Sequence, residues 1–267
     1  MSTIQTVYRL WRHAQLGASW RDKWLAFLLG GHACLGPKRQ SVRRWFRQSI
    51  GKLASGDQVE LRCDISGNLA RLNLRKEDIA DYLVGGEVVN GFYDVPNFTP
   101  DLIVDGGANI GLFSVFAAAH FPNVPIVCYE PQPANVKQLR TNLKANEIGA
   151  NIVTAGLWSH PTTLYFRNQS SYAGYIAEEP PGDPVECVIP EVIESCWLKL
   201  DIEGAEYQVV PELLRRGSYP RFITMELHFN VERGTGLLEM LREHGYRVRG
   251  GEDRAADCAN ITAIRQI

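Results

Sequence analysis

The residues with the clearest chemical potential lie in one run, Asp101-Leu102-Ile103-Val104-Asp105-Gly106-Gly107-Ala108-Asn109-Ile110-Gly111. It reads as a buried strand that ends in an acid, turns through glycines and enters a helix carrying Leu112, Phe113, Val115 and Phe116. A glycine turn lets backbone approach a ligand closely, and a helix opening behind it aims its first N–H groups there. The run therefore predicts a site for a nucleotide-like cofactor. A second acid, Glu130, closes the next apolar run, Pro125–Tyr129, 19 residues beyond Gly111. An acid at such a strand end can accept both hydroxyls of a ribose. A third group, Lys199-Leu200-Asp201-Ile202-Glu203-Gly204-Ala205-Glu206, sits at another strand-to-helix junction. Acids there can simply cap the helix, but Lys199 inside an apolar strand needs a charge partner.

The spacing argues against a dinucleotide. That site requires G-x-G-x-x-G, and Ala108 stands where the second glycine would make room for a pyrophosphate. Counted from the acid, the turn is Asp105-x-Gly107-x-Asn109-x-Gly111. It resembles the acid-x-Gly-x-Gly-x-Gly turn of S-adenosylmethionine-dependent methyltransferases, with Asn for the middle glycine. Together with Tyr129-Glu130-Pro131 and the Lys199–Glu206 block, it resembles the FkbM family of those enzymes over about Arg75 to His228. The alternative for the turn alone is a connection with no ligand.

The resemblance implies a class I methyltransferase fold, S-adenosylmethionine as cofactor, and O-methylation of a sugar, glycan or polyketide-type hydroxyl. It puts Asp105, Gly107, Asn109 and Gly111 around the methionine moiety and Glu130 on the ribose. Gly106, Pro131, Leu157 and Asp201 complete the expected cofactor-binding set. An acid is common after the third strand of such folds; here Ser159-His160 follows Gly156-Leu157-Trp158, which leaves the adenine contact open. A hydroxyl acceptor needs a base or a metal to draw off its proton. Glu226 and His228 alternate at a strand end and so share a face, next to the strand that ends in Asp201. Asp201, Glu226 and His228 are thus expected either to hold Mg²⁺ or another divalent cation, or to work with His228 as base and a carboxylate orienting it. Lys199 joins them as a catalytic candidate.

Several elements must position these groups. Residues 1–55 read as a helical arm, broken at Gly30-Gly31 and Gly36-Pro37. Residues 56–100 read as a lead-in: a hairpin around Ser66-Gly67-Asn68, a short helix over Arg75–Leu83 ended by Gly85-Gly86, and an irregular approach from Tyr93. From residue 101 to 267 strands and helices alternate, which argues for a doubly wound, mostly parallel α/β sheet. The strands fall at 101–105, 125–129, 151–155, 196–200 and 222–227, with helices over 135–146, 205–216 and 236–244. Tyr246–Arg249 and Asn260–Ile264 would finish the Rossmann-like sheet with an antiparallel pair. Thr163–Phe166 and Val185–Ile189 form an added pair, and the polar Asn168–Pro184 between them reads as an acceptor-lining loop.

The whole-chain properties narrow the partners. The 267 residues can bury a sizeable core. Six scattered cysteines without a C-x-x-C fit a reducing cytoplasm. The start lacks a signal-peptide layout, and no apolar run of ~18 residues spans a membrane. The net charge of −2 hides an asymmetry: residues 1–52 carry ten Lys/Arg and one acid, a net of +9, against −11 for the rest. Trp11, Trp20, Trp24, Phe27 and Trp45 are interleaved with those cations. The favoured reading packs the aromatics on the catalytic domain and solvates the charges; a membrane-surface or nucleic-acid segment is the alternative. A nucleic-acid acceptor is disfavoured because Asp-Ile-Glu-Gly stands where base-amino methyltransferases carry Asn-Pro-Pro-Tyr. A catalytically silent cofactor fold that docks through the arm is the reading of a different class. The oligomeric state and the acceptor are not encoded legibly.

Overall fold

The computed structural model describes residues 14–33, 40–170, 173–228, 231–250 and 258–265. Trp11, Arg12, Cys34 and the Gly36-Pro37 break lie outside them. The chain divides into two compact units. One comprises 94–109, 123–136 and 149–267; the other comprises 1–93, 110–122 and 137–148.

The first of these units is built on a seven-stranded sheet in the order β12-β13-β11-β10-β3-β4-β5. Its members are β3 (Leu102–Gly106), β4 (Ile126–Tyr129), β5 (Ala150–Val153), β10 (Cys196–Leu200), β11 (Phe222–His228), β12 (Tyr246–Gly250) and β13 (Cys258–Arg265). Five strands run parallel, and β13 is antiparallel to both β11 and β12. This is the expected doubly wound α/β sheet with its terminal antiparallel pair. Val104, Leu198, Leu200, Ile223, Met225 and Leu227 supply its core with Val209, Val210 and Leu213 of α6 (Glu206–Arg215) and Leu241 of α7 (Val231–Glu243). Continuous apolar runs are what a sheet buried on both faces requires. The chain leaves β3 toward β4 and later returns to β10 on the other side of β3. The strand order therefore reverses between β3 and β10, where open α/β sheets bind ligands at the carboxyl ends.

A smaller sheet in this unit has the order β6-β9-β7-β8. It comprises β6 (Gly156–Leu157), β7 (Thr162–Ser170), β8 (Ala173–Ala177) and β9 (Asp183–Val188). The segment expected as a loop is thus partly strand: β8 pairs antiparallel with β7, Phe166 opposite Ile176. Gly174 permits this, because a Cβ there would enter the Phe166 ring, a use of strand glycine that composition alone disguises.

The other unit holds α1 (Trp20–Ala33), α2 (Gln40–Gly51), the hairpin β1 (Gln58–Ile65) and β2 (Asn68–Arg75), α3 (Ile79–Val89), α4 (Leu112–His120) and the body of α5 (Pro133–Ala145). Two glycine pairs read as helix breaks are helix interior. A Cβ on Gly31 would meet the Phe46 ring at 2.5 Å, and one on Gly86 would meet Ala33 Cβ and the Leu29 carbonyl at 2.6 Å. Glycine here allows α1 to pack closely on α2 and α3, which outweighs its low helix propensity. Gln138 and Asn142 of α5, with Asn146 just past its end, then dock along β2 at i, i+4 and i+8. Gln138 Nε2 donates to the Asn73 carbonyl (2.8 Å), Asn142 Oδ1 accepts from Asn73 N–H (2.7 Å), and Asn146 Oδ1 accepts from Arg71 N–H (2.7 Å). They satisfy backbone groups that an edge strand would leave open. Asn142, wholly buried, also donates to the Ile110 carbonyl at 2.8 Å, one residue before the α4 cap.

The arm differs from the favoured expectation. Trp20, Trp24 and Trp45 are exposed, at 81%, 43% and 49%. No helix among the described residues is long and apolar enough to cross a membrane.

Candidate functional site

Lys199 explains how the glycine turn is held. Its ammonium is buried, 3.3 Å from Asp105 Oδ1 and 3.9 Å from Asp201 Oδ2. It donates to the carbonyls of Gly106 (3.2 Å) and Gly107 (2.7 Å). Parallel register brings it there, since Lys199 pairs with Asp105 and Leu200 with Gly106. Burial works against the charged form, but Asp105, Asp201 and Glu130 carry its pKa above the ordinary lysine value. Lys199 is thus a strut under the turn.

Asp105 is the other half of that strut. Its side chain has no accessible surface, so in this conformation it supports the turn through Lys199 and does not touch a ligand. Leu157, expected near the adenine, is likewise buried and wedged against Gly106, where a Cβ would meet its Cδ1 at 2.7 Å. The glycines serve the fold first. Gly107 has φ +70°, and a Cβ on it would strike the Asp201 carbonyl; Gly111 has φ +81°, and a Cβ on it would strike Leu139. A side chain at either position breaks the turn before it meets any cofactor.

Glu130 clasps the turn from the β4 side. Its Oε2 accepts from Asn109 N–H (2.8 Å) and its Oε1 from Gln132 N–H (2.9 Å). The Tyr129 carbonyl takes the N–H groups of Gly107 and Ala108 at 3.0 and 2.9 Å. These three turn N–H groups, which precede the helix opening at Leu112, are therefore spent internally. Burial pushes the Glu130 carboxyl above the usual range, against those N–H donors. Asn109, in the left-handed region at φ 49°, keeps its buried Oδ1 without a hydrogen-bond partner. An unmet acceptor in a turn is costly unless a ligand donor completes it. Asn109, Gly107, Pro131 and Asp201 are half-buried and remain reachable.

Beyond β10 and β11 lies a second cluster. Glu203 Oε2 is 3.2 Å from His228 Nε2, and the ligand atoms of Asp201, Glu203 and His228 lie within 4.8 Å of one another. Glu206, fully buried, accepts from the N–H groups of Ile202 and Gly204, both at 2.8 Å, and stands 3.6 Å from His228 Nδ1. The Tyr207 hydroxyl fixes the strand end by donating to the His228 carbonyl at 2.7 Å. Glu203 thus takes the place expected for Glu226. Glu226 does share a strand face with His228, but its carboxyl pairs with Cys258, and burial and Asp201 raise its pKa. Only the whole Asp-Ile-Glu-Gly loop, with Glu203 at φ 53° and Gly204 at φ 100°, returns Glu203 over the strand ends; strand alternation has no means of showing that. Burial lowers the His228 pKa, but Glu206, Glu203 and Asp201 outweigh it and carry it up to about 9. Burial, against the pull of His228, pushes Glu203 up to about 7. Acids outnumber cations throughout this rim, which suits a ligand with net positive charge.

Residues 105–248, more than half the chain, match the methyltransferase FkbM domain family. The chain belongs to that family. The match opens on Asp105 and runs through both clusters. Among its relatives, methyltransferase sdnD of Sordaria araneosa is 37% identical over 93 residues, 33% of this chain and 36% of that protein. The 31-O-demethyl-FK506 methyltransferase FkbM of Streptomyces tacrolimicus is 26% identical over 197 residues, 57% of this chain and 75% of that protein. The chain thus aligns with only about a third of the Sordaria protein. The crystal structure of methyltransferase FkbM from Methylobacillus flagellatus aligns with 97% of this chain and 59% of its own, at 12% identity and a TM-score of 0.41. The cofactor of the FkbM methyltransferase domain is S-adenosylmethionine. Its sulfonium and ammonium groups fit the acid-rich rim, and its donors fit the unmet Asn109 acceptor.

Proposed function

We propose that the chain methylates a hydroxyl of a sugar, glycan or polyketide-type small molecule. The observation that carries this reading is the Glu203–His228 pair beside Asp201 at the carboxyl rim. The Streptomyces relative, whose printed name describes methylation at a single oxygen of FK506, supports an oxygen acceptor.

S-adenosylmethionine, when bound, supplies an electrophilic methyl group on a sulfonium centre. Asn109 and Asp201 would hold it, with Gly107 and Pro131 lining the approach. Glu130 would add its remaining lone pairs, while Lys199 and Asp105 keep the turn in shape. Glu203 would accept the acceptor hydroxyl's proton on its carboxylate as the oxygen takes the methyl carbon, whose bond to sulfur would break and leave its electron pair on a neutral thioether. A carboxyl pushed up to about 7 is well matched to that task. His228, charged at neutral pH by its raised pKa, would orient Glu203 rather than act as the base itself.

The same three donor atoms support a second reading, a divalent cation at Asp201, Glu203 and His228. Two carboxylates and an imidazole suit Mg²⁺ or Mn²⁺. Incubation with S-adenosylmethionine and a panel of glycan and polyketide alcohols, read by mass spectrometry for one added methyl, tests the function. A chelator that leaves the rate unchanged favours the Glu203 base; a chelator that abolishes it, with rescue by Mg²⁺ or Mn²⁺, favours the metal. Cofactor binding without methylation of any hydroxyl in the panel would count against oxygen as the acceptor.

A further inference from the structure

The arm presents aromatic rings to solvent in a way the catalytic half does not. Trp158 and Trp197 are buried at 8% and 0%, whereas Trp20, Trp24 and Trp45 are among the most exposed large apolar side chains. On α1, Trp20, Lys23 and Trp24 fall at i, i+3 and i+4, one outward face. The polar neighbours on that helix point inward. Asp22 is fully buried and accepts from the Ser19 hydroxyl (2.6 Å) and Arg62 N–H (3.2 Å). Arg21 donates to the carbonyls of Glu60 (3.0 Å) and Leu53 (2.5 Å). No acid of α1 therefore opposes Lys23 at the surface. On α2, Val42, Arg44 and Trp45 are exposed, and Phe46 seats that helix on Gly31 of α1.

We infer that α1 and α2 form a docking surface for an anionic lipid bilayer. Leaving three tryptophan rings in water is unfavourable, whereas the headgroup boundary solvates both the ring and its N–H. Lysine and arginine beside them add attraction to acidic headgroups. Residues 1–52 carry +9 against −11 for the remainder, so acidic headgroups attract this segment and repel the rest of the chain. A lipid suits these groups better than stacked nucleic-acid bases. Trp24 already stacks on Phe27 (5.5 Å, 12°), Trp45 meets Phe46 edge to face (5.0 Å, 85°), and Val42 has no ring to offer. The inference stands apart from the methyl-transfer reading, since it uses none of its residues.

The test is co-sedimentation of the full chain with vesicles of phosphatidylcholine, with and without phosphatidylserine. The chain should pellet with the phosphatidylserine vesicles, with binding lost at high salt. The Trp20→Ser/Trp24→Ser/Trp45→Ser variant should partition about a thousandfold less, at about tenfold per ring withdrawn from the bilayer. Lys23→Glu/Arg44→Glu should weaken binding by more than about tenfold. Circular dichroism melts check that the fold persists, and Trp20→Ser alone serves if the triple variant unfolds. Absence of pelleting overturns the inference, as does pelleting that the tryptophan variants leave intact. If instead the wild type self-associates or binds RNA through these tryptophans, and no vesicle pellets it, the surface belongs to a second copy or to nucleic acid and the lipid assignment fails.

Discussion

Replacing Asp105 by alanine should damage stability more than cofactor contact. The side chain is wholly buried and its carboxylate lies 3.3 Å from the Lys199 ammonium, itself almost inaccessible. Removing one member of a buried pair leaves the other charge uncompensated, typically at 3–5 kcal/mol. Here Lys199 keeps the Gly106 and Gly107 carbonyls and a distant Asp201 carboxylate at 3.9 Å, so the loss belongs at the lower end, about 3 kcal/mol. For a chain of this size that lowers the melting temperature by roughly 6–12 °C. Lys199→Met together with Asp105→Ala removes both charges and should recover most of the loss, to within about 1 kcal/mol of wild type. Differential scanning calorimetry of the two single variants and the double variant reads the cycle. An Asp105→Ala protein as stable as wild type, or a double variant no better than the worse single one, would refute the strut.

Glu203→Gln should lower turnover by about 10²–10⁴ while cofactor affinity stays within a few-fold, as measured by steady-state kinetics and calorimetry. In the wild type the rate should fall as pH drops through about 7, because Glu203 must be ionised to accept a proton; a rate flat from pH 8 to 6 removes it as base. His32 is fully buried and its pKa is lowered to about 4 by burial and by Arg43 and Arg47. A depressed histidine makes the unfolded chain bind the extra proton, so stability is complete above about pH 6.5 and declines toward pH 4, by about 3 kcal/mol at most. Denaturant titrations of His32→Leu should show that slope flattened; an unchanged slope rejects the assignment. Asn142→Leu severs the tie to Ile110 and Asn73 and should cost about 2–4 kcal/mol, whereas a cost under 0.5 kcal/mol would show that solvent replaces it.

Period and turn chemistry made the sheet legible, because β3, β4, β10 and β11 are apolar runs that end in Asp105–Gly106, Glu130, Asp201 and His228. The need for a partner to Lys199 was legible for the same reason. The glycines misled in both directions. Gly30-Gly31 and Gly85-Gly86 look like helix ends but lie inside α1 and α3, where they admit Phe46, Leu29 and Ala33. Gly107 and Gly111 look like room for a cofactor but are required by Asp201 and Leu139. Burial also redistributed the roles, since Asp105 and Leu157 sit beneath the surface that Asn109 and Asp201 present. The α5 amide ladder joins residues about 70 apart in sequence, and nothing local in Gln138, Asn142 or Asn146 announces that partner.

The central claim is that the β3–β10 rim binds S-adenosylmethionine and that the Glu203 cluster handles the acceptor's proton. Isothermal calorimetry with S-adenosylmethionine tests it on three proteins: wild type, Asn109→Leu and Glu203→Gln. Wild type and Glu203→Gln should bind with affinities within a few-fold of each other, and Asn109→Leu should bind at least about tenfold more weakly, or about 1.4 kcal/mol. No heat of binding for the wild type, or equal affinity in Asn109→Leu, would contradict the account.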